Sequence, residues 1–78
     1  MEKGTVVKSL AGRDKGKLLA VMQIGNGTVL VCDGKERPLD RPKSKNIRHI
    51  ECTEFYVSEN DMRSNKALKI ALKRLLQN

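Results

Sequence analysis

Two apolar runs separated by a glycine-rich turn constrain the fold more than any other feature of the sequence. Leu18–Ile24 is the longest apolar run, Gly25-Asn26-Gly27 closes it, and residues 28–32 resume with β-branched character. Asn-Gly supplies the positive φ that a tight hairpin turn requires, and Asp33-Gly34 repeats this signal after the second run. The pattern therefore predicts two consecutive β-hairpins.

Shorter segments on either side extend the β pattern. Candidate strands are residues 5–10, a short piece around 36–39, and a last strand made of residues 47–50 and 53–57. The polar, proline-containing stretch 40–46 indicates an exposed loop or edge. Five short strands separated by turns at roughly eight- to ten-residue intervals predict a small, mainly β barrel over residues 1–57.

The last part of the chain changes to a helical period. Leucine and alanine recur at spacings of three and four residues, at positions 68, 71, 72, 75 and 76. Such spacing is typical of an amphipathic helix. Ser58 and Asp61 resemble a capping box with a shorter acid, so we expect the helix to begin near residue 59 and end near 76, within a C-terminal segment 58–78.

The apolar face of this helix admits two interpretations. It can pack on the barrel, since a small barrel with few aromatic residues needs additional apolar area. Alternatively, Leu68, Leu72 and Leu75 form a contact with a partner protein. A membrane-facing role is disfavoured, because the apolar face carries no Trp or Phe.

The charge balance favours a polyanionic partner. The chain has a formal net charge of +7 at pH 7, and residues 1–50 hold eleven basic and five acidic residues. Nucleic acid is the first candidate, and an acidic protein or an anionic membrane surface is the second. A chain of 78 residues forms one modest core without room for a large catalytic cleft. No apolar run is long enough to cross a bilayer, so we expect a cytoplasmic protein.

One segment carries a resemblance to a known family. Gly12-Arg13-Asp14-Lys15-Gly16-Lys17, preceded by Val6-Val7-Lys8-Ser9 and followed by the long apolar run, resembles the signature of a KOW domain. This short RNA-binding motif is shared by several ribosomal proteins and by NusG-type elongation factors. Across residues 4–50 the chain resembles in particular the archaeal and eukaryotic large-subunit ribosomal protein family numbered fourteen and its small bacterial KOW relatives.

This resemblance implies an SH3-like barrel of five antiparallel strands whose first loop touches RNA. It also implies a non-enzymatic, ribosome-associated protein whose partner is ribosomal RNA or the ribosome. The chemistry of the loop agrees, because glycines let a backbone approach a phosphate closely and neighbouring cations add charge.

Two basic segments make up the predicted RNA site. The first is the glycine-rich loop, and the second places six cations within residues 35–48 against two acids. The site residues are Gly12, Arg13, Lys15, Gly16, Lys17, Arg37, Arg41, Lys43, Lys45 and Arg48. The alternative for each segment is a solvated surface without a ligand. With one Phe and one Tyr, the chain offers few stacking platforms, so we expect phosphate and shape recognition of structured RNA.

Two cysteines and one histidine are candidate ligands for a metal ion. His49 and Cys52 form a His-x-x-Cys step, and Cys32 lies twenty residues before Cys52. Three soft ligands fall short of the usual four for zinc. A Cys-His nucleophilic pair is equally unsupported, because nothing in the sequence marks an oxyanion hole or a third group that would orient the histidine. We therefore expect reduced cysteines, no metal, no cofactor and no catalysis. The alternative function is a protein-interaction module of the transcription or translation machinery, acting through the barrel or the leucine-bearing helix.

Overall fold

A computed structural model describes residues 1–76 of the chain. Its elements, in chain order, are β1 (Thr5–Ser9), β2 (Leu18–Ile24), β3 (Thr28–Cys32), β4 (Lys43–Asn46), a short 3₁₀ helix (Ile47–His49), β5 (Ile50–Tyr56) and α1 (Asn65–Leu76). The strands form one antiparallel sheet in the order β4-β3-β2-β1-β5. The predicted fold class is confirmed as mainly β, a small SH3-like barrel-type fold of five antiparallel strands with one C-terminal helix. Residues 77–78, which the predicted segment 58–78 included, lie outside the described residues.

The central hairpin forms where the sequence predicts it. β2 and β3 have the predicted bounds, and Gly27 in the turn between them has a φ of +76°. The second predicted hairpin is wrong in its length. β3 does pair with β4, but the connection runs through residues 33–42 before β4 begins. The Asp33 carboxylate accepts hydrogen bonds from the backbone N–H groups of Lys35 and Arg37, both at 2.9 Å, and so supports a wider loop.

Two other strand predictions need correction. The fourth strand is Lys43–Asn46 rather than residues 36–39, because pairing with the open edge of β3 satisfies the backbone groups of a polar segment. Residues 47–49 form a 3₁₀ turn instead of strand. Asn46 caps this turn, since its side-chain oxygen accepts a hydrogen bond from the backbone N–H of Arg48 at 2.8 Å.

The helix begins six residues later than predicted. Ser58 and Asp61 exchange the reciprocal hydrogen bonds of a capping box, both at 3.0 Å, but they close a turn and not a helix. The true cap is Ser64, whose Oγ accepts from the backbone N–H of Ala67 at 3.1 Å. The side chain of Asn65 also accepts a hydrogen bond from the backbone N–H of Leu39 at 2.7 Å, which ties the helix start to the β3–β4 loop.

Two clusters of buried apolar side chains lie on opposite faces of the central strands. Alternate residues of a strand point to opposite faces, so neighbouring residues of one strand enter different clusters. The inner cluster comprises Val7, Leu19, Val21, Val29, Val31 and Ile50. The outer cluster comprises Val6, Ala20, Cys32, Val57, Leu68 and Leu72.

The outer cluster decides between the two interpretations of the helix. Leu68 is fully buried and Leu72 is 5% exposed, because both pack on the outer face of the sheet. Leu75 is partly buried against the same cluster. The alternative interpretation, a partner contact through these three leucines, is therefore wrong, because their side chains already pack on the barrel.

Candidate nucleic-acid interface

The glycine-rich loop between β1 and β2 has a tightly hydrogen-bonded backbone. At its base, the backbone N–H of Ser9 donates to the Lys17 carbonyl at 2.9 Å, and the N–H of Gly16 donates to the Ser9 carbonyl at 2.8 Å. Gly12 and Gly16 have φ values of +86° and +87°, in the left-handed region that residues with a Cβ rarely adopt. The glycines thus shape the loop.

Asp14 is the buried centre of this loop. Its Oδ1 accepts hydrogen bonds from the Ser9 hydroxyl at 2.8 Å and from the Lys45 ammonium at 2.7 Å. The Asp14 and Lys45 side chains are 8% and 5% exposed. Lys45 also donates to the backbone carbonyl of Ala11 at 2.9 Å. A buried ion pair therefore connects the first basic segment to the edge strand of the second.

The charges around Asp14 keep it ionised. Burial by itself raises the pKa of the Asp14 carboxyl, but the hydrogen bonds from Lys45 and Ser9 and the positive charges of Lys45 and Lys43 outweigh it. Its pKa therefore lies below the ordinary value of 3.8.

The structure separates the predicted site residues by exposure. Arg13, Lys15, Lys17, Arg41 and Arg48 are exposed, as are Gly12 and Gly16, whereas Arg37 and Lys43 are half-buried. Lys45 needs correction as a ligand-facing residue, because it is buried and its ammonium donates to Asp14 and Ala11. It positions the loop and does not face a ligand.

Two further contacts bring the second basic segment against the loop. The Lys17 ammonium lies 3.4 Å from the Glu36 carboxylate, which links the loop to the β3–β4 connection. The backbone N–H of Leu10 donates to the His49 carbonyl at 2.8 Å, which places the 3₁₀ turn with Arg48 beside the start of the loop. The glycine-rich loop therefore touches β4, the 3₁₀ turn and the β3–β4 connection.

The candidate metal ligands lie in different environments. Cys32 is buried in the outer cluster, whereas Cys52 is exposed on β5 and its thiol lies 3.7 Å from the sulfur of Met1. Burial and the charge of Asp33 raise the pKa of the Cys32 thiol to about 11. Nowhere in residues 1–76 do three or more His, Cys, Asp or Glu side chains gather closely enough to hold a metal ion.

Comparisons with known proteins do not assign the chain to a family. No protein-family model matches it. No curated protein matches it significantly either. Among the described residues, no helix is long and apolar enough to cross a membrane.

Sequence reasoning missed the structural roles of Ser9, Asp14 and Lys45. The available signal was weak: one acid within a basic loop, and a lysine on a strand whose alternation turns it inward. Asp14 is neutralised by Lys45, which lies 31 positions away in the sequence. Local patterning carries no information about a contact of that range.

Proposed function

We propose that this protein is a non-enzymatic RNA-binding module of the ribosomal KOW type that binds structured RNA, ribosomal RNA first, through its glycine-rich loop and β4. The proposed setting is the cytoplasmic ribosome. The observation that carries the proposal is the buried Asp14–Lys45 pair, because it holds two basic segments together that are far apart in the sequence. Two cationic segments in contact can clamp one phosphate backbone jointly, which two separate solvated loops cannot.

The charges that remain free support a phosphate ligand. Within residues 1–76, ion pairs engage Lys17 and Lys45 but not Arg13, Lys15 or Lys43. The latter three make no ion pair within these residues and are therefore the cations proposed to contact phosphate. Arg13 and Lys15 flank the buried Asp14, so the anchoring of that carboxylate leaves its two basic neighbours exposed at the tip of the loop.

In this proposal the protein recognises the phosphate backbone and the shape of the RNA. Phe55 and Tyr56 are 43% and 61% exposed, but both belong to β5 and neither lies in the glycine-rich loop. Stacking of several successive bases is therefore not part of the proposal. Phosphate contacts fix register and orientation and carry no base information, so binding varies little with RNA sequence.

The experiment is a salt titration of binding to a ribosomal RNA hairpin. Neutralising one phosphate-binding lysine removes one counterion-release contribution, so Lys15→Gln and Lys43→Gln should each flatten the slope of log affinity against log salt by about 0.7–0.9. Lys66→Gln is the matched control, since it removes the same charge from an exposed position on α1. We expect the control to leave the slope unchanged.

The proposal fails if a triple variant with Arg13, Lys15 and Lys43 replaced by Gln stays folded and binds the hairpin as tightly as the parent. Lys45 is unsuitable for this test. Its removal leaves Asp14 buried without its cation, so any loss of binding would report loss of the loop structure.

A further inference from the structure

A cleft of about 620 Å³ lies between α1 and the two loops that flank it. The β1–β2 loop contributes Gly16 and Lys17, and the β3–β4 connection contributes Asp33 and Lys35. α1 supplies the opposite wall. The helix reaches this cleft with a face that adjoins the one covering the outer cluster, and Leu72 belongs to both. The other α1 residues of the cleft are exposed, so packing of α1 on the barrel leaves the cleft open.

Apolar side chains form much of the lining. Leu72 belongs to the outer cluster and Leu18 packs against it, and both line the cleft. Ile70 and Leu76 extend this apolar lining toward solvent. Ile70 is 43% exposed and Leu76 is 67% exposed. Large apolar side chains that lie together at the surface of a small domain are characteristic of an interaction site.

Lysines surround this apolar surface. Lys17 and Lys35 lie on the barrel side, and Lys69 and Lys73, one helical turn apart, lie on the α1 side. Among the described lining residues the acid is Asp33, and its Oδ1 already accepts two backbone hydrogen bonds. The Lys17–Glu36 pair is exposed, so an external carboxylate can replace Glu36 readily.

The combination of apolar surface and lysines selects the kind of ligand. A phosphate backbone would satisfy the lysines but leave Ile70 and Leu76 in water. A base would cover the apolar surface, but none of the cleft-lining residues among positions 1–76 is aromatic and could stack on it. A peptide with carboxylates next to aliphatic side chains satisfies both features, because it neutralises the lysines and buries apolar area.

We propose that this cleft binds an acidic, aliphatic-rich segment of a partner protein. Its carboxylates lie against Lys35, Lys69 and Lys73, and its aliphatic side chains cover the exposed parts of Ile70 and Leu76. The proposed RNA contacts at Arg13, Lys15 and Lys43 do not line the cleft, although Gly16 and Lys17 of the predicted RNA site do. The protein then joins an RNA surface to an acidic protein segment.

The test begins with selection from a display library of random peptides against the full chain. We expect the selected peptides to combine Asp or Glu with Leu, Ile or Val. Lys69→Glu/Lys73→Glu should weaken the best of these peptides at least about tenfold, since both charges face the ligand. Lys66→Glu is the matched charge control and should bind within about twofold of the parent, because it lies outside the cleft.

A second pair of variants tests the apolar contact. Ile70→Ser should weaken peptide binding, whereas Ile24→Ser should not. The two isoleucines are both 43% exposed, but Ile24 lies on β2 outside the cleft. Both positions tolerate a polar residue without opening the core, so this pair remains informative if the charge-reversed variant does not fold.

Three results would overturn the proposal. The first two are selected peptides without acids, and equal peptide binding by the Ile70→Ser and Ile24→Ser variants. The third is displacement of the peptide by the ribosomal RNA hairpin, accompanied by NMR chemical-shift changes at Lys69 and Ile70. The last result would assign the cleft to RNA. Failure of the RNA proposal is distinguishable, because it is read from the Arg13, Lys15 and Lys43 variants without any peptide.

Discussion

Asp14 shows how one buried carboxylate organises a basic loop. It lies between Arg13 and Lys15 in the sequence, yet its side chain is turned inward to Ser9 and Lys45 while theirs are exposed. An ion pair removed from water contributes little net stability by itself, but loss of one partner leaves an uncompensated buried charge. The pair is therefore best understood as a positioning device whose disruption is costly.

We expect Asp14→Asn to destabilise the protein by about 3–5 kcal/mol at neutral pH, because the Lys45 ammonium would stay buried without its counter-charge. Since the folded pKa of Asp14 lies below 3.8, its contribution is present above that value and is lost as the pH falls through the folded pKa. The difference between parent and variant in the free energy of unfolding should therefore shrink in acid. Urea titrations at several pH values measure it.

The exposed Lys17–Glu36 pair provides the control for this prediction. Its side chains are 49% and 59% exposed, so Glu36→Gln should cost no more than about 1 kcal/mol. Equal costs for Asp14→Asn and Glu36→Gln would show that the buried pair does not hold the loop.

The two cysteines should differ sharply in reactivity. Cys32 is buried and its thiol has a pKa of about 11, so very little thiolate is present near neutral pH. Cys52 is exposed. We expect iodoacetamide at mildly alkaline pH to modify Cys52 alone in the folded protein, and both cysteines in urea. Mass spectrometry measures the adducts, and rapid double modification without denaturant would contradict the structure.

At the scale of elements, the contact between the β3–β4 connection and α1 depends on one glycine. Gly34 has a φ of +81°, and a Cβ built there would collide with the backbone carbonyl oxygen of Asn65 at the start of the helix. Asn65 also accepts the hydrogen bond from Leu39, so the connection is held against the helix from two points. The absence of a side chain at residue 34 allows this close approach.

Gly34→Ala should therefore be more destabilising than Gly16→Ala. The two glycines have nearly the same φ, +81° and +87°, but a Cβ at residue 16 would meet nothing within 4 Å. Gly16→Ala should cost about 1–2 kcal/mol from backbone strain alone, and Gly34→Ala should add the displacement of the helix start. Thermal unfolding of the two variants compares them. Equal midpoints would mean that the connection does not pack against α1 as described.

At the scale of the whole molecule, the protein has two cores that share the central strands. The inner cluster fills the barrel and the outer cluster lies under α1. Val6 and Val7 are adjacent in β1, fully buried, and members of different clusters. A strand buried on both faces ties barrel and helix together, so they should unfold as one unit.

Leu68→Ala should thus be as damaging as Leu19→Ala, although one removes a helix residue and the other a barrel residue. Both leucines are fully buried, and each truncation should cost about 2–5 kcal/mol. We expect each variant to unfold in a single transition by circular dichroism. Leu76→Ala is the matched control, because that leucine is 67% exposed. Separate melting of helix and sheet would contradict a shared core.

Local signals in the sequence were sufficient for the parts of the fold that depend on neighbouring residues. The β2–β3 hairpin and the existence of the helix follow from a positive-φ turn and from two different apolar periods, and both are local properties of the backbone. The glycine-rich loop was also identified locally. Its proposed binding to RNA stays a prediction.

Tertiary contacts decided the rest. β4 is polar, and it became a strand because β3 offered an open edge. Ser58 and Asp61 formed their local bonds, yet the helix began only where Asn65 meets the β3–β4 connection. Lys45, one of several similar lysines in the sequence, is buried because Asp14 lies opposite it in space. Edge pairing, helix docking and charge neutralisation each join residues far apart in the chain, so short-range patterning cannot specify them.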